Sequence, residues 1–227
     1  ITRHTLQVDY PFTFKKSRRV YLYHPPVQTA VPLLIIYDGL DYFHRGRLAN
    51  IVDNLIAAGL IQPLALAFLQ NGGSRARFLE YDCSDLTISY LKQYIIPLAE
   101  RELNLLDHTQ HPGVHGILGS SMGGRMAAFT ALRAQEIFGR AICQAGAYQY
   151  FDGEAVLMDM VRHMPRTGVR FWLDCGRLDF LLEASRNFAA LLEEKRCAYI
   201  YKENGGAHNQ TTWRNAAAEA LQHLFPA

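Results

Sequence analysis

The sequence has little of what binds nucleic acid, crosses a membrane or cross-links a small secreted domain. Its 23 Lys and Arg residues almost balance its 21 Asp and Glu residues, so no charge excess attracts the chain to nucleic acid or to anionic membranes. No apolar stretch approaches the roughly 20 residues that a transmembrane helix needs. The four cysteines form no C-x-x-C pair, which is typical of reduced core residues rather than of disulfides or zinc ligands. These absences favour a protein that acts on a small molecule or a polymer other than DNA.

The amino-terminal stretch ITRHTLQVDYPFTF also lacks the apolar core of a signal peptide. We therefore expect a cytoplasmic protein. Because the chain begins at Ile1 rather than at Met, a leader removed before this residue stays an alternative. There is no repeat, low-complexity tract or linker, and 49% of the 227 residues are hydrophobic. That is enough apolar surface for one domain over residues 1–227.

Strand and helix patterns alternate from residue 31 to the end of the chain. The predicted strands cover residues 31–39, 63–71, 114–119, 140–148, 170–176 and 198–204, after β-like runs at 5–10 and 18–25. The predicted helices run from residue 47 to Gly59 and over 84–106, 122–135, 181–196 and 211–225. Pro97 predicts a kink in the second of these helices. The alternation predicts an α/β fold with a mostly parallel central sheet and helices on both faces.

A glycine-serine turn, GSSMG at 119–123, lies between a predicted buried strand and a predicted helix. The frame fits G-x-S-x-G, in which small residues two before and two after the serine let strand and helix approach closely. The alternatives are an ordinary turn or a phosphate-binding loop, but the latter needs a lysine that GSSMGGR lacks. Ser121 holds the position of a nucleophile, and Ser120 is interpreted as a small residue tolerated beside it.

A nucleophilic serine in this fold is followed along the chain by an acid and then by a histidine. His208 lies in the glycine-rich loop NGGAHNQ, whereas His223 falls inside a predicted helix, so His208 is the candidate base. Asp179 lies in the loop CGRLDF, at the end of a predicted strand. It is the candidate acid, and Glu183, about one turn into the next helix, is the alternative.

The backbone N–H groups of Leu40 and Met122 are the candidate oxyanion donors. Met122 follows the candidate nucleophile, and Leu40 follows the Asp38-Gly39 pair at the end of the 31–39 strand, where Gly39 permits a close backbone approach. A plain turn at this pair is the alternative.

With these residues in place, the sequence resembles the putative-esterase branch of the α/β-hydrolase superfamily, which contains enterochelin (enterobactin) esterases, some feruloyl esterases and the mycolyltransferases. The resemblance covers most of residues 31–225 and rests on the blocks LLIIYDGLDYF, LANIVDNLIAAGLIQPLALAFL, RFLEY, GILGSSMGG, CGRLDFLLEASRNFAALL and GGAHNQTTWRNAAAEALQHLF. It implies an α/β-hydrolase fold in which Ser121 is the nucleophile, His208 the base and Asp179 the acid, with Leu40 and Met122 as oxyanion donors.

The resemblance also implies a small-molecule ester as substrate, such as a siderophore lactone or another aryl or acyl ester, and no cofactor. An acyltransferase of the mycolyltransferase type and a catalytically silent binding protein stay as alternatives. Two features depart from the family. Two-domain enterochelin esterases carry an additional amino-terminal domain, whereas about thirty residues precede the 31–39 strand in this sequence, so we expect substrate recognition to differ. In addition, Ala207 separates the glycines from His208.

A few further residues are candidates for substrate or metal binding. Arg75 and Arg77 follow a strand's carboxyl end and fit an anionic or catecholic substrate, with a structural Arg77–Glu80 pair as the alternative. Tyr148 and Tyr150 fit an aromatic pocket, with surface or core positions as the alternative. We assign no metal, because Pro112 and Gly113 interrupt the histidine cluster His108, His111 and His115. The roughly 25 residues between the strands near 145 and 170 are too few for a large cap and predict an open site.

Overall fold

The computed structural model describes residues 1–8, 17–150 and 153–227. Its strands are β1 Thr2–Gln7, β2 Ser17–Tyr23, β3 Leu33–Ile36, β4 Ala65–Leu69, β5 His115–Ser120, β6 Phe138–Gln144, β7 Gln149–Tyr150, β8 Gly153–Glu154, β9 Arg170–Gly176 and β10 Ala198–Asn204. Eight of these described strands form a central sheet in the order β1-β2-β4-β3-β5-β6-β9-β10, and β7 and β8 form a separate antiparallel pair. In the central sheet, β2 pairs antiparallel with β1 and β4, and all the other pairings are parallel. The mostly parallel sheet is therefore confirmed.

The helices lie between these strands along the chain. They are α1 Gly39–His44, α2 Leu48–Ala57, α3 Ser74–Glu80, α4 Asp85–Tyr90, α5 Ile96–Glu102, α6 Met122–Arg133, α7 Val156–His163, α8 Leu182–Glu194 and α9 Gln210–Leu224. The sequence predicted α2, α6, α8 and α9 at nearly these bounds. It missed α1, α3 and α7 and the short β7–β8 hairpin. Among the described residues, no helix is both long and apolar enough to cross a membrane.

The central strands are buried because helices cover both faces of the sheet. Every residue of β3, β4 and β5 is buried, as the continuous apolar runs predict for a parallel sheet. Within β3, Leu33 and Ile35 pack in one hydrophobic cluster and Leu34 and Ile36 in the other, since successive side chains of a strand point to opposite faces. Two hydrophobic cores therefore cover the two faces of the sheet and fix the positions at which its strands end.

The predicted helix over 84–106 is interrupted at the expected place and ends early. Ser84 caps it by accepting the Thr87 N–H at 3.4 Å. A π-helical turn, Leu91–Ile95, then separates α4 from α5, just before Pro97. Proline has no N–H to donate to the preceding turn, and a wider turn accommodates this loss. The helix ends at Glu102 because the backbone of Leu103 is extended.

Asp174 is a buried carboxylic acid near the end of β9. Its Oδ2 accepts hydrogen bonds from Trp172 Nε1 at 2.8 Å and Gln144 Nε2 at 3.0 Å, whereas its Oδ1 has no partner among the described residues. Burial raises the pKa of Asp174 from 3.8 to about 7, since two neutral donors only partly replace water around the charge. Folding at neutral pH therefore carries the cost of removing this group from water.

This cost predicts that the free energy of unfolding depends on pH, and that a substitution of Asp174 removes the dependence. Because the pKa of Asp174 is higher in the folded protein, the folded state binds its proton more tightly. The free energy of unfolding should therefore fall as pH rises from about 4 to about 7, by up to about 4 kcal/mol from this group. The Asp174→Asn variant lacks the titration, so its stability relative to wild type should increase over the same range.

Urea denaturation of the two proteins at unit pH intervals from 4 to 8 measures this difference. Glu183→Gln is the matched control, because the Glu183 side chain is 74% exposed and its loss should leave the pH dependence parallel to wild type. Parallel curves for Asp174→Asn and wild type would contradict the prediction.

Candidate active site

The candidate catalytic residues follow the carboxyl ends of adjacent parallel strands. In register, Ser120 of β5 lies beside Gln144 of β6, which lies beside Asp174 of β9. Two residues after Asp174, β9 ends at Gly176, which lies opposite Asn204, the last residue of the neighbouring β10. The loops that leave these strands therefore begin along one edge, which is where open α/β sheets bind ligands.

Ser121 forms the sharp turn between β5 and α6. Its backbone is strained, with φ 57° and ψ −125°, a conformation that non-glycine residues adopt only when the surroundings impose it. The Ser121 N–H donates to Gln144 O at 2.9 Å, and its carbonyl accepts the N–H groups of Gly124 and Ala147, both at 3.0 Å. Strand and helix meet so closely that a Cβ on Gly119 would lie 2.2 Å from Gly123 O. Backbone contacts on both sides hold the turn in place.

The two neighbouring serines differ in exposure. Ser121 is partly exposed, whereas Ser120 is 3% exposed and belongs to β5. Of the two hydroxyl groups, that of Ser121 is the more accessible to a substrate.

His208 and Asp179 come together from loops 29 residues apart. The imidazole Nδ1 lies 3.0 Å from Oδ1 and 2.9 Å from Oδ2 of Asp179. The carboxylate side chain is fully buried, and its Oδ1 also accepts the Leu181 N–H at 2.9 Å. Because a carboxylate only accepts hydrogen bonds, Nδ1 carries the proton and Nε2 is left as the basic nitrogen.

Close packing between the two loops brings this pair together. A Cβ on Gly176 would lie 2.3 Å from Gly206 O, and the Leu178 N–H donates to the same carbonyl at 3.0 Å. The Ala207 N–H donates to Thr212 Oγ1 at 3.2 Å, so the residue that separates the glycines from His208 is tied to α9. Glycine at 176 and 206 is therefore required for the acid and the base to meet.

Two aromatic rings and one glutamine join the histidine to the serine. The His208 ring packs against Phe180 at 4.5 Å and edge-on against Trp213 at 5.1 Å between ring centroids. Trp213 O accepts Gln144 Nε2 at 2.9 Å, and Gln144 O accepts the Ser121 N–H. Within the described residues, no hydrogen bond links Ser121 Oγ to the imidazole.

The candidate oxyanion donors lie in the first turns of α1 and α6. Neither the Leu40 nor the Met122 N–H donates to another backbone group of the described residues, as is normal for first-turn amides. Both helix N-termini present partial positive charge, which favours a developing anion. Both amides are therefore candidates for stabilising negative charge on a substrate oxygen.

The other sequence candidates have different outcomes. Arg75 is exposed. Arg77 binds Asp38, and the Glu80 carboxylate contacts the buried Arg18, partners that the alternative of an Arg77–Glu80 pair did not name. Tyr148 is fully buried and stacks on Phe188 at 4.0 Å. Its interpretation as a pocket residue is therefore wrong, and the core alternative is correct.

Two further candidates concern aromatic and metal binding. The side chain of Tyr150 lies outside the described part of the chain. His115 is buried, and its Nδ1 accepts the Leu33 N–H at 3.1 Å. No group of three or more potential metal ligands occurs among the described His, Cys, Asp and Glu side chains.

A groove of about 450 Å³ begins beside Met122. Phe78, Leu79 and Val156 line it with side chains that are 48%, 57% and 60% exposed. Arg125 also lines it and contacts Asp82 at 2.8 Å. The lining is mixed, because Glu154 joins Arg125 and Asp82 there, and its apolar side chains suit one arm of a bulky ester. Sequence reasoning missed the residues of α3 that form one wall, because no helical period marks them.

Comparisons with known proteins bear on the family and the fold of the chain. A family model described as "Putative esterase" matches residues 13–224. The chain is 26% identical over 219 residues to YjcH, an uncharacterised Bacillus subtilis protein, covering 91% of this chain and 86% of that one. It superposes on an enterobactin esterase from Shigella flexneri with a TM-score of 0.87 and 20% identity, over 98% of this chain but only 58% of that one. A ferulic acid esterase from Anaeromyces mucronatus gives a TM-score of 0.78 and 16% identity, over 99% and 90% of the two chains. The fold is the α/β-hydrolase fold.

Proposed function

This chain belongs to the putative esterase family, and from that membership we propose that it is a serine carboxylic-ester hydrolase with a Ser121–His208–Asp179 triad. One observation carries the proposal. A strained, partly exposed serine lies at the same sheet edge as an imidazole whose Nδ1 is bound to a buried carboxylate. That combination is what an activated serine nucleophile requires.

The proposed reaction has two steps through an acyl-enzyme. His208 Nε2 takes the hydroxyl proton of Ser121 as Oγ attacks the ester carbonyl carbon. The resulting imidazolium then gives its proton to the departing alcohol oxygen as the ester C–O bond breaks. In the second step, His208 takes a proton from water, hydroxide attacks the acyl carbon, and the proton returns to Ser121 Oγ. Asp179 keeps the imidazole oriented and offsets its positive charge.

Two backbone amides stabilise the tetrahedral intermediate of each step. The Leu40 and Met122 N–H groups donate to the carbonyl oxygen once it becomes an anion, so they bind the transition state more strongly than the substrate. A single donor of this kind is typically worth about 3 kcal/mol of activation free energy. The partial positive charge at the start of α6, a helix of 12 residues, acts in the same direction.

We propose a small-molecule ester with a bulky apolar or aromatic arm as the substrate. The groove between α3 and α7 fits such an arm, and the relatives named above include an enterobactin esterase and a ferulic acid esterase. Siderophore lactones and aryl or acyl esters are therefore the substrates to test. Acyl transfer to an alcohol in place of water would make the protein an acyltransferase instead.

Short-ester hydrolysis and active-site labelling test the proposal together. Wild-type protein should hydrolyse p-nitrophenyl acetate or butyrate, and a fluorophosphonate should add its mass once, on the peptide that contains Ser121. A chain that is inert to both reagents would contradict the esterase proposal and favour a silent binding protein. A panel of siderophore lactones, feruloyl esters and simple acyl esters, assayed with and without an added alcohol, then compares substrates and separates hydrolysis from acyl transfer.

A further inference from the structure

Asp38 lies after β3 and two residues before Leu40, one of the candidate oxyanion donors, and its backbone conformation is unfavourable. Asp38 has φ 51° and ψ 32°, in the left-handed region that side chains other than glycine disfavour. The next residue, Gly39, packs so tightly that a Cβ there would lie 2.3 Å from Leu69 N of β4. Leu40 follows directly. The direction of the Leu40 N–H therefore depends on what holds Asp38.

The side chain of Asp38 is held by a two-point ion pair. Arg77 donates from Nε to Oδ1 at 2.8 Å and from Nη2 to Oδ2 at 2.6 Å. Asn71 Nδ2 donates to Oδ1 at 2.5 Å. The Asp38 and Arg77 side chains are 8% and 22% exposed, so water screens the pair only weakly, and its geometry matches the bidentate fork that fixes orientation.

The backbone of Asp38 is held from the same segment. Its N–H donates to Tyr81 Oη at 3.1 Å, and the Arg77 guanidinium lies over the Tyr81 ring at 5.2 Å. Tyr81 is buried, and burial raises its pKa well above 10, so its hydroxyl is neutral. Both the main chain and the side chain of Asp38 are thus attached to α3 and the residue that follows it.

The same carboxylate lies near the turn that carries the other donor. A Cβ on Gly123 would lie 3.2 Å from Asp38 Oδ2, and Gly123 is bonded to Met122. The Asp38 carbonyl also accepts the Asp41 N–H at 2.9 Å, which aligns the first turn of α1. Asp38 therefore lies close to both donor peptides, and Arg77 binds its carboxylate at two points.

We propose that Arg77 is a positioning residue for the oxyanion hole. Its guanidinium holds Asp38 so that the Leu40 N–H faces the same point as the Met122 N–H. This proposal rests on the proposed esterase function. It also replaces the hypothesis that Arg77 binds substrate, because its Nε and Nη2 are already engaged by Asp38.

The two roles differ in the kinetic constant that they control. An oxyanion donor acts mainly on the transition state, so a displaced donor lowers kcat and leaves KM nearly unchanged, whereas loss of a substrate contact raises KM. In Arg77→Gln we expect kcat to fall about 10- to 100-fold, since a displacement of about 1 Å is enough for such a loss. KM should stay within about twofold. Arg77→Lys keeps the charge without the fork and should recover part of kcat.

Arg133→Gln is the matched control. Arg133 makes a similar fork with Asp85, from Nε at 3.1 Å and Nη2 at 3.4 Å. That pair lies at the far end of α6, and its side chains are 50% and 64% exposed. Its loss should leave kcat and KM unchanged. Asn71→Ala removes one hydrogen bond to Asp38 and the bond that Asn71 Oδ1 accepts from the Gly73 N–H. It leaves the Arg77 fork in place and serves as the milder variant if Arg77→Gln does not fold, with an expected severalfold loss in kcat.

A readout independent of turnover keeps this test separate from that of the proposed function. In ¹H–¹⁵N spectra, Arg77→Gln, or Asn71→Ala in its place, should shift the amide signals of both Leu40 and Met122, whereas Arg133→Gln should shift neither. A folded variant with both amide signals unchanged would overturn the positioning role, whether or not the wild type hydrolyses esters. Unchanged kcat, or a raised KM with unchanged kcat, would overturn it equally. If the wild type hydrolyses no ester but the variant shifts both amide signals, the result counts against the esterase proposal and not against the positioning role.

Discussion

Replacing Ser121 with alanine is expected to lower kcat for p-nitrophenyl butyrate hydrolysis by about 10⁶-fold, the loss that serine hydrolases show when the nucleophile is removed. The variant has no hydroxyl to form the acyl-enzyme, so only binding and the oxyanion donors remain to accelerate attack by water. KM should change little, since Oγ contributes mainly to the transition state. Steady-state kinetics of enzyme freed from wild-type contamination measure the loss.

Ser120→Ala is the neighbouring control for this experiment. Ser120 is 3% exposed at the end of β5, so its hydroxyl does not reach the cleft. We expect kcat within about threefold of wild type and a stability loss of about 1 kcal/mol, typical of one hydrogen bond. If Ser120→Ala abolishes activity while Ser121→Ala retains it, the nucleophile has been assigned to the wrong serine.

Much of the fold and the position of the candidate site follow from local patterns. The apolar runs that became β3, β4 and β5 are long enough to be buried on both faces, and strands of that kind alternate with amphipathic helices. Gly59, which has φ 66°, ends α2 as expected. The strand–turn–helix at GSSMG depends on neighbouring residues only. Each of these features is encoded within about 20 residues of sequence.

Long-range partners could not be predicted in this way. The spacing of Arg77 and Glu80 suits a local pair on a helix, yet Glu80 turns inward to Arg18, 62 residues earlier in the chain. The buried guanidinium of Arg18 requires a carboxylate more strongly than the partly exposed guanidinium of Arg77 does. Arg77 then pairs with Asp38, across the sheet edge. Each arginine becomes buried to a different extent only when the strands assemble, and this burial decides which carboxylate it binds.

Tyr148 shows the same limit for aromatic side chains. It follows β6 at the edge where ligands bind, so the sequence allowed a pocket position as well as a core position. Gly146 leaves the space that the ring occupies, because a Cβ at this position would lie 2.3 Å from Tyr148 Cζ. The ring turns into that space and stacks on Phe188 of α8. A helix 40 residues later thus determines whether the tyrosine is exposed.

Asp179→Asn should give the second large loss, about 10⁴-fold in kcat. The asparagine Oδ1 can still accept the Leu181 N–H, so the loop should keep its conformation. Its amide group, however, can donate to His208 Nδ1, which stabilises the tautomer protonated on Nε2. That tautomer cannot accept the Ser121 proton, and the variant also lacks the charge that offsets the imidazolium. Thermal melts of both proteins check that the fold is retained.

Glu183→Gln decides between the two acids considered from the sequence. Glu183 lies in the first turn of α8, its side chain is 74% exposed, and it binds Arg186 Nη1 at 2.5 Å. The His208 imidazole instead lies against Asp179, whose side chain is fully buried. A carboxylate near an imidazole stabilises its charged form far more when both are shielded from water. Glu183→Gln should therefore keep kcat within about twofold, and a 10⁴-fold loss in this variant with little effect of Asp179→Asn would reverse the assignment.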